Sequence, residues 1–301
     1  AGLPTALPER RYQIDAELTR VPAERAALGW LLGCYAFDRY KAPERTPATL
    51  VRPAAAEHAA VARAAAATAL VRDLVNTPAN DLGPEELAEA VRTEGKRYGG
   101  KTTTIEGDQL LKRGFPAIHA VGRAAAQAPR LVDLRWNNNG GPQITIVGKG
   151  VTFDTGGLDL KPASGMKLMK KDMGGAAHAL ALAKMVMDAE LPVSLRLLIP
   201  AVENSVSADS FRPQDVIQTR KGKTVEIGST AREPGITQSD GSFDGHLPPA
   251  TDPEWRPRFL HRSWIRIVVG QRPEVTVEGN GLVCGEIPVK QPQALDETAR
   301  P

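Results

Sequence analysis

The sequence predicts an α/β fold, a mostly parallel sheet with helices on both faces. Short β-branched and apolar runs alternate along the chain with longer alanine- and leucine-rich runs, the order of strand and helix that builds such a sheet. One of these runs, residues 144–147, opens into glycine-rich loops that carry Lys149, Asp154, Asp159, Lys161 and Asp172. Loops at the end of a strand are where open α/β sheets place their ligands.

Composition sets the frame. A chain of 301 residues with 42% hydrophobic and 24% charged content is long enough for a full core and falls in the ordinary globular range. A net charge of +3 gives no electrostatic case for a nucleic-acid partner. Two cysteines, Cys34 and Cys284, make neither a disulfide framework nor a zinc knuckle, and they fit a reducing cytoplasm. No apolar run reaches membrane-spanning length and the N-terminus has no secretory core, so a cytoplasmic protein without a membrane partner is expected.

Taken in order, residues 22–35 read as a buried helix or turn, with Gly29 and Gly33 permitting close packing, and residues 45–53 as a proline-rich linker. Alanine density predicts a long helix over 54–75, ended by the turn formers of 76–81. Gly83-Pro84-Glu85-Glu86 opens the next helix, with proline in the first turn and acids at the positive end of the dipole, and Gly99-Gly100 stops it. Strands are predicted over 102–105, 118–121, 131–136, 144–147 and 193–199, with helices over 109–113 and 175–189. Beyond residue 231 long apolar helices vanish and proline becomes frequent; residues 264–269 and 274–277 are short strand candidates in an otherwise poorly specified tail.

Hydrolysis assisted by paired metals needs carboxylates close enough to share cations, with groups that stabilise a developing oxyanion. Asp154 precedes Thr155-Gly156-Gly157, where the backbone can bend a carboxylate onto an ion. Asp172 precedes Met173-Gly174-Gly175 at the start of a helix, and Lys149 lies between two glycines at a strand end. A lysine desolvated beside cations can lose its proton and serve as a neutral ligand. Alone, Asp154 reads equally as a turn residue and Asp172 as a helix N-cap. A single D-T-G in an α/β chain does not make an aspartic protease, which needs two such aspartates.

The run VGKGVTFDTGGLDLKP with MKLMKKDMGGAA resembles the signature of the leucine aminopeptidase (M17) family of metallopeptidases. GWLLGCYAFDRYK, LVNTPANDLGPEELAE, GFPAIHAVGRA, PRLVDLRW and PAVENSVSADSFRPQDVIQTRKGKTVEIG extend the resemblance over residues 22–230. It implies metal-dependent removal of N-terminal residues from peptides, with two divalent ions (Zn²⁺ or Mn²⁺), in the cytoplasm. Lys149 and Asp172 would hold the more exchangeable metal and Asp154 would bridge both. Lys161 would be the catalytic lysine that stabilises the tetrahedral oxyanion, and Met169 would line the pocket for the first side chain. Asp159 matches no catalytic position and reads as an exposed loop residue; Glu203 and Asn204 read as structural, holding a loop beside the site. His58, His119 and His178 are scattered, in keeping with a family that uses no histidine ligand set.

The family continues with N-T-D-A-E-G-R where this chain reads Ser229-Thr230-Ala231-Arg232-Glu233-Pro234-Gly235. The aspartate ligand thereby becomes Ala231 and the bicarbonate-holding arginine Gly235; Glu233 falls at the bridging glutamate, beside Pro234. After Asp240 the resemblance ends, whether by frameshift or true divergence. The expected organisation is a remnant of the N-terminal α/β domain over 1–48, a partial catalytic domain over 49–240 and a divergent tail over 241–301, incomplete at both ends. At most one metal site is expected to be well formed. Impaired peptidase activity follows, the alternative being a non-catalytic remnant or a binding or regulatory subunit. The family's homohexamer is also implied, and the divergent C-terminal part argues against it.

Overall fold

The computed structural model describes residues 2–137 and 140–227, and the backbone of two later strands. The chain begins with α1 (Leu3–Ala6), β1 (Arg11–Tyr12), α2 (Arg20–Gly33) and β2 (Thr49–Leu50), where β1 and β2 pair in parallel as a small separate sheet. The segment read as a linker thus carries a strand. Alanine-rich α3 (His58–Asn76) receives this unit. Arg72 donates to the Leu32 carbonyl and lies over the Tyr35 ring, while Tyr35 donates to Asp73. α4 (Pro84–Arg97) starts at Gly83, whose amide donates to the Glu86 carboxylate at 3.0 Å, half of a capping box.

Next come β3 (Lys101–Glu106), α5 (Gln109–Lys112), α6 (Pro116–Gly122), β4 (Arg130–Trp136), β5 (Gln143–Gly148) and β6 (Gly150–Asp154). The predicted strand over 118–121 is helical. Pro116 presets the first helical turn, and a run this short and mostly buried reads the same in either period. α7 (Ala163–Met166), a 3-10 turn over Met169–Met173 and α8 (Gly174–Asp188) lead to β7 (Ser194–Asn204). A hairpin of β8 (Val216–Gln218) and β9 (Thr224–Glu226) follows. The tail strands are β10 (Trp264–Val269) and β11 (Glu274–Glu278).

The seven-stranded sheet runs β11-β10-β5-β7-β4-β3, with β6 also paired to β7. The α/β class holds, with a mixed sheet: β5 and β6 run parallel to β7, and the other pairings are antiparallel. Alternation of helix and strand does not specify direction. The short link between β4 and β5 reverses the chain, and β7 later enters between them. β7 divides the core by parity. Leu195, Leu197, Ile199 and Ala201 pack with Leu87, Val91, Met173 and Leu180 under α3, α4 and α8. Leu198 and Val202 pack with Leu110, Ile118, Val121 and Phe211 on the opposite face, so helices cover both sides. Among the described residues no helix is long and apolar enough to cross a membrane.

A charged cluster ties two strands together. Arg196 of β7 grips both Asp133 oxygens, at 3.0 and 2.8 Å. Burial pushes the Asp133 carboxyl up, but Arg196 and Arg135 outweigh it and hold the group below its ordinary value. A depressed carboxylate stabilises the fold above the unfolded value near about 3.9, and that contribution is lost as pH falls through the folded value. Asp133→Asn should therefore lower the urea midpoint at pH 7 and shrink the further loss seen on going to about pH 3. Parallel losses in both proteins between these pH values would contradict the assignment.

Candidate active site

β7 is eleven residues long, and two strands share one of its edges. β5 covers Ser194 to Leu198, and β6 begins opposite Ala201. Lys149 falls in the break between them. Pro200 sits at that break, with its carbonyl 2.5 Å from where a Gly150 Cβ would be, so its missing N–H faces the same interrupted edge. A proline inside a central strand is tolerated here because no ladder bond is required of it.

The two glycines around Lys149 are steric necessities. A Cβ on Gly148 would lie 2.7 Å from both Ala176 Cα and the Gly175 carbonyl oxygen, the first turn of α8. The same contact brings the Lys149 carbonyl to the Ala176 amide, 2.8 Å away. Lys149 is thereby placed beside the residue just ahead of α8, and its Nζ lies 2.8 Å from Asp172 Oδ2. This contact is a charge pair without hydrogen-bond alignment, and Asp172 Oδ2 is buried with no hydrogen-bond partner.

The second pair forms after β6. Gly156 and Gly157 both take the left-handed conformation, φ +92° and +67°. A Cβ on Gly156 would meet the Asp159 carbonyl at 2.3 Å and the Lys161 stem at 3.3 Å. The tight bend folds Lys161 back, its amide donating to the Thr155 carbonyl, so that its Nζ reaches Asp154 Oδ2 at 2.8 Å. Asp154 Oδ1 accepts from the Gly156 amide at 2.9 Å and from Asn204 Nδ2 at 2.8 Å. The Asn204 carbonyl in turn accepts from the Thr155 amide and hydroxyl.

The four ionisable side chains are each 5–15% exposed. Two lysines balance two carboxylates, which lets these charges sit nearly buried. β6 packs against the 3-10 turn that carries Met169 and Asp172. Met169 is buried at 2% exposure.

The structure therefore forms two ion pairs, Lys149 with Asp172 and Lys161 with Asp154, on neighbouring elements: Asp154 ends β6, and Asp172 shares with Met169 the turn that packs against it. Asn204, read as a loop holder, donates directly to Asp154; lying beyond the predicted strand, which stops at residue 199, it carried no sequence signal for that contact. Asp159 is half-buried rather than exposed. Glu203 is half-buried too, and burial raises its carboxyl above the ordinary value. His119 lies on α6, a helix that packs against β7, and faces Asp108; His58 and His178 lie on α3 and α8. Ala231, Glu233, Pro234 and Gly235 lie outside the described residues.

A divalent ion needs anionic oxygen or neutral nitrogen donors with exchangeable positions left open. Among the described residues no three His, Cys, Asp or Glu side chains converge. The donor set is instead Asp154, Asp172 and Lys149, and Asp172 Oδ2, buried without a hydrogen bond beside the Lys149 nitrogen, is the kind of atom a cation would satisfy. These residues fit one such ion.

Known proteins share this arrangement of segments. A family model for the catalytic domain of the cytosol aminopeptidase family matches residues 69–243, and one for the M17 aminopeptidase N-terminal domain matches residues 1–53. A probable cytosol aminopeptidase of Geobacter sp. (strain M21) is 38% identical over 226 residues, covering 70% of this chain and 46% of that protein. The crystal structure of cytosol aminopeptidase from Coxiella burnetii aligns with a TM-score of 0.75 at 47% identity, over 80% of this chain and 52% of that one. The bottromycin maturation enzyme BotP in complex with Mn aligns with a TM-score of 0.63 at 37% identity, over 70% and 46%. The chain spans about half the length of the curated relatives it matches. Two models matched in order along one chain, over a lysine- and aspartate-built pocket of this form, lead to one conclusion: this chain belongs to the cytosol aminopeptidase (M17) family.

Proposed function

We propose that this chain carries the lysine-bearing half of a leucyl-aminopeptidase-type site, acts on peptide N-termini in the cytoplasm, and does so with impaired turnover. The double pairing of Lys149 with Asp172 and Lys161 with Asp154 supports this most directly. Lys149, Asp154 and Asp172 would hold one divalent cation, Mn²⁺ or Zn²⁺. When bound, such an ion supplies Lewis-acid polarisation and an activated water.

The chain's own residues set the remaining chemistry. Lys161 is held at the end of a rigid glycine bend and carries a positive charge into a pocket with little water. A cation fixed there stabilises the negative oxygen that develops on a peptide carbonyl under attack, more strongly than it would in water. Asp154 keeps that ammonium aimed, through Oδ2. Met169, buried in the turn before Asp172, offers an apolar floor for the first side chain of the substrate.

Impairment rests on the sequence further along. Ala231 and Gly235 replace an acid and an arginine of the family pattern, which removes one oxygen ligand of a second ion and the anchor for a base. With Leu-p-nitroanilide and added Mn²⁺, turnover should fall at least about 100-fold below that of an intact family member, as expected for a site missing ligand and supporting groups. Calorimetric titration should give no more than one bound ion per chain. Two bound ions with full turnover would refute impairment; no bound ion would favour a binding or regulatory role. A homohexamer remains the family's arrangement, and sedimentation of the purified chain reads it directly.

A further inference from the structure

We infer that Asn204 is a positioning residue for the carboxylate of Asp154, an inference that rests on the metal-site reading above. A shift in strand register brings the two together. Gly150 pairs with Ala201 and Val151 with Val202, yet Asp154 pairs with Asn204, so β6 spends three residues where β7 spends two. This bulge shifts Asp154 by one pleat. Without it Phe153 would stand opposite Asn204, and the carboxylate would face the other side of the sheet.

Asn204 is itself fixed. It is 7% exposed, and its carbonyl takes both donors of Thr155. Gly157, at φ +67°, runs so close that a Cβ there would be 3.2 Å from Asn204 Oδ1. That leaves Nδ2 as the end directed at Asp154, and only the NH₂ end can pair with a carboxylate. Asn204 and the Gly156 amide together occupy Asp154 Oδ1, so Oδ2 is the oxygen left to Lys161 and to a cation.

The test is Mn²⁺ affinity by calorimetry on the full chain, with thermal unfolding of each metal-free protein alongside. Asn204→Leu should weaken binding about 10- to 100-fold, the range for partners that orient a ligand. If that variant fails to fold, Asn204→Ala gives the same reading. Thr152→Val serves as the comparison. It removes a buried hydrogen bond from the same strand, to the Val202 carbonyl, without touching Asp154, and should lose stability but keep the affinity. Asn204 variants that bind as tightly as the unsubstituted chain would overturn the inference, as would an equal loss in Thr152→Val. An unsubstituted chain that binds no Mn²⁺ would overturn the metal-site reading itself and the inference with it.

Discussion

Gly148→Ala is expected to be among the most damaging single-methyl changes in the protein. The added Cβ would sit 2.6 Å from Ala179 Cβ and 2.7 Å from two backbone atoms of the first turn of α8. Side chains can rotate away from a clash, but a helix backbone cannot, so β5 and α8 must separate. Overpacking of this kind costs about 3 kcal/mol. The packing of β5 against α8 and the placement of Lys149 depend on that contact. A lowered urea midpoint together with lost Mn²⁺ binding is the expected result. Gly29→Ala makes the contrast: nothing lies within 4 Å of its Cβ and it sits inside α2, so helix propensity predicts a gain of about 0.5–1 kcal/mol. Equal behaviour of the two variants would show that close approach is not why Gly148 is glycine.

Lys149→Met should destabilise the metal-free protein by about 3 kcal/mol, because it removes one partner of a nearly buried ion pair and leaves the other. Asp172 is 14% exposed and its Oδ2 has no hydrogen bond, so little else offsets its charge. Methionine keeps most of the lysine stem, which confines the change to the charge. The double variant Lys149→Met/Asp172→Leu should recover much of the loss, since an apolar pair of similar volume replaces a buried ion pair at little net cost. Chemical denaturation of the four proteins completes a double-mutant cycle. Additive losses would mean that the 2.8 Å approach contributes nothing, and would weaken the view of the pocket as a self-neutralised set of charges. Both single and double variants should lose Mn²⁺ binding.

Much of the chain was legible before any coordinates. The helices α3, α4 and α8 follow from alanine density and from Gly-Pro-Glu-Glu punctuation, which are local properties. The strands β3, β4 and β5 follow from β-branched runs, and the short tail strands β10 and β11 were visible as candidates for the same reason. What failed has a physical cause in each case. Residues 118–121 are four in number with His119 as their one polar side chain, too short a run to tell a helical period from a strand period. β7 was cut short at Ile199 because Pro200 is a strand breaker in any intact ladder; it is accepted only where the neighbouring edge is itself broken. Strand direction depends on which strands become neighbours, and β7 enters between β4 and β5 only after the chain has travelled through α8.

By itself the sequence named candidates for the chemistry. Lys149, Asp154, Lys161 and Asp172 sit in glycine-rich surroundings, and it is the resemblance to a family pattern that singles them out. Only the tertiary structure decided their partners: that each lysine closes on a different aspartate, that a one-residue bulge turns Asp154 toward Asn204, and that Lys149 occupies a gap in a ladder. The reason is that residue types and backbone freedom are local properties of the chain, whereas the direction of a carboxylate is set by strand register, and register exists only between segments about fifty residues apart, as Asp154 and Asn204 are.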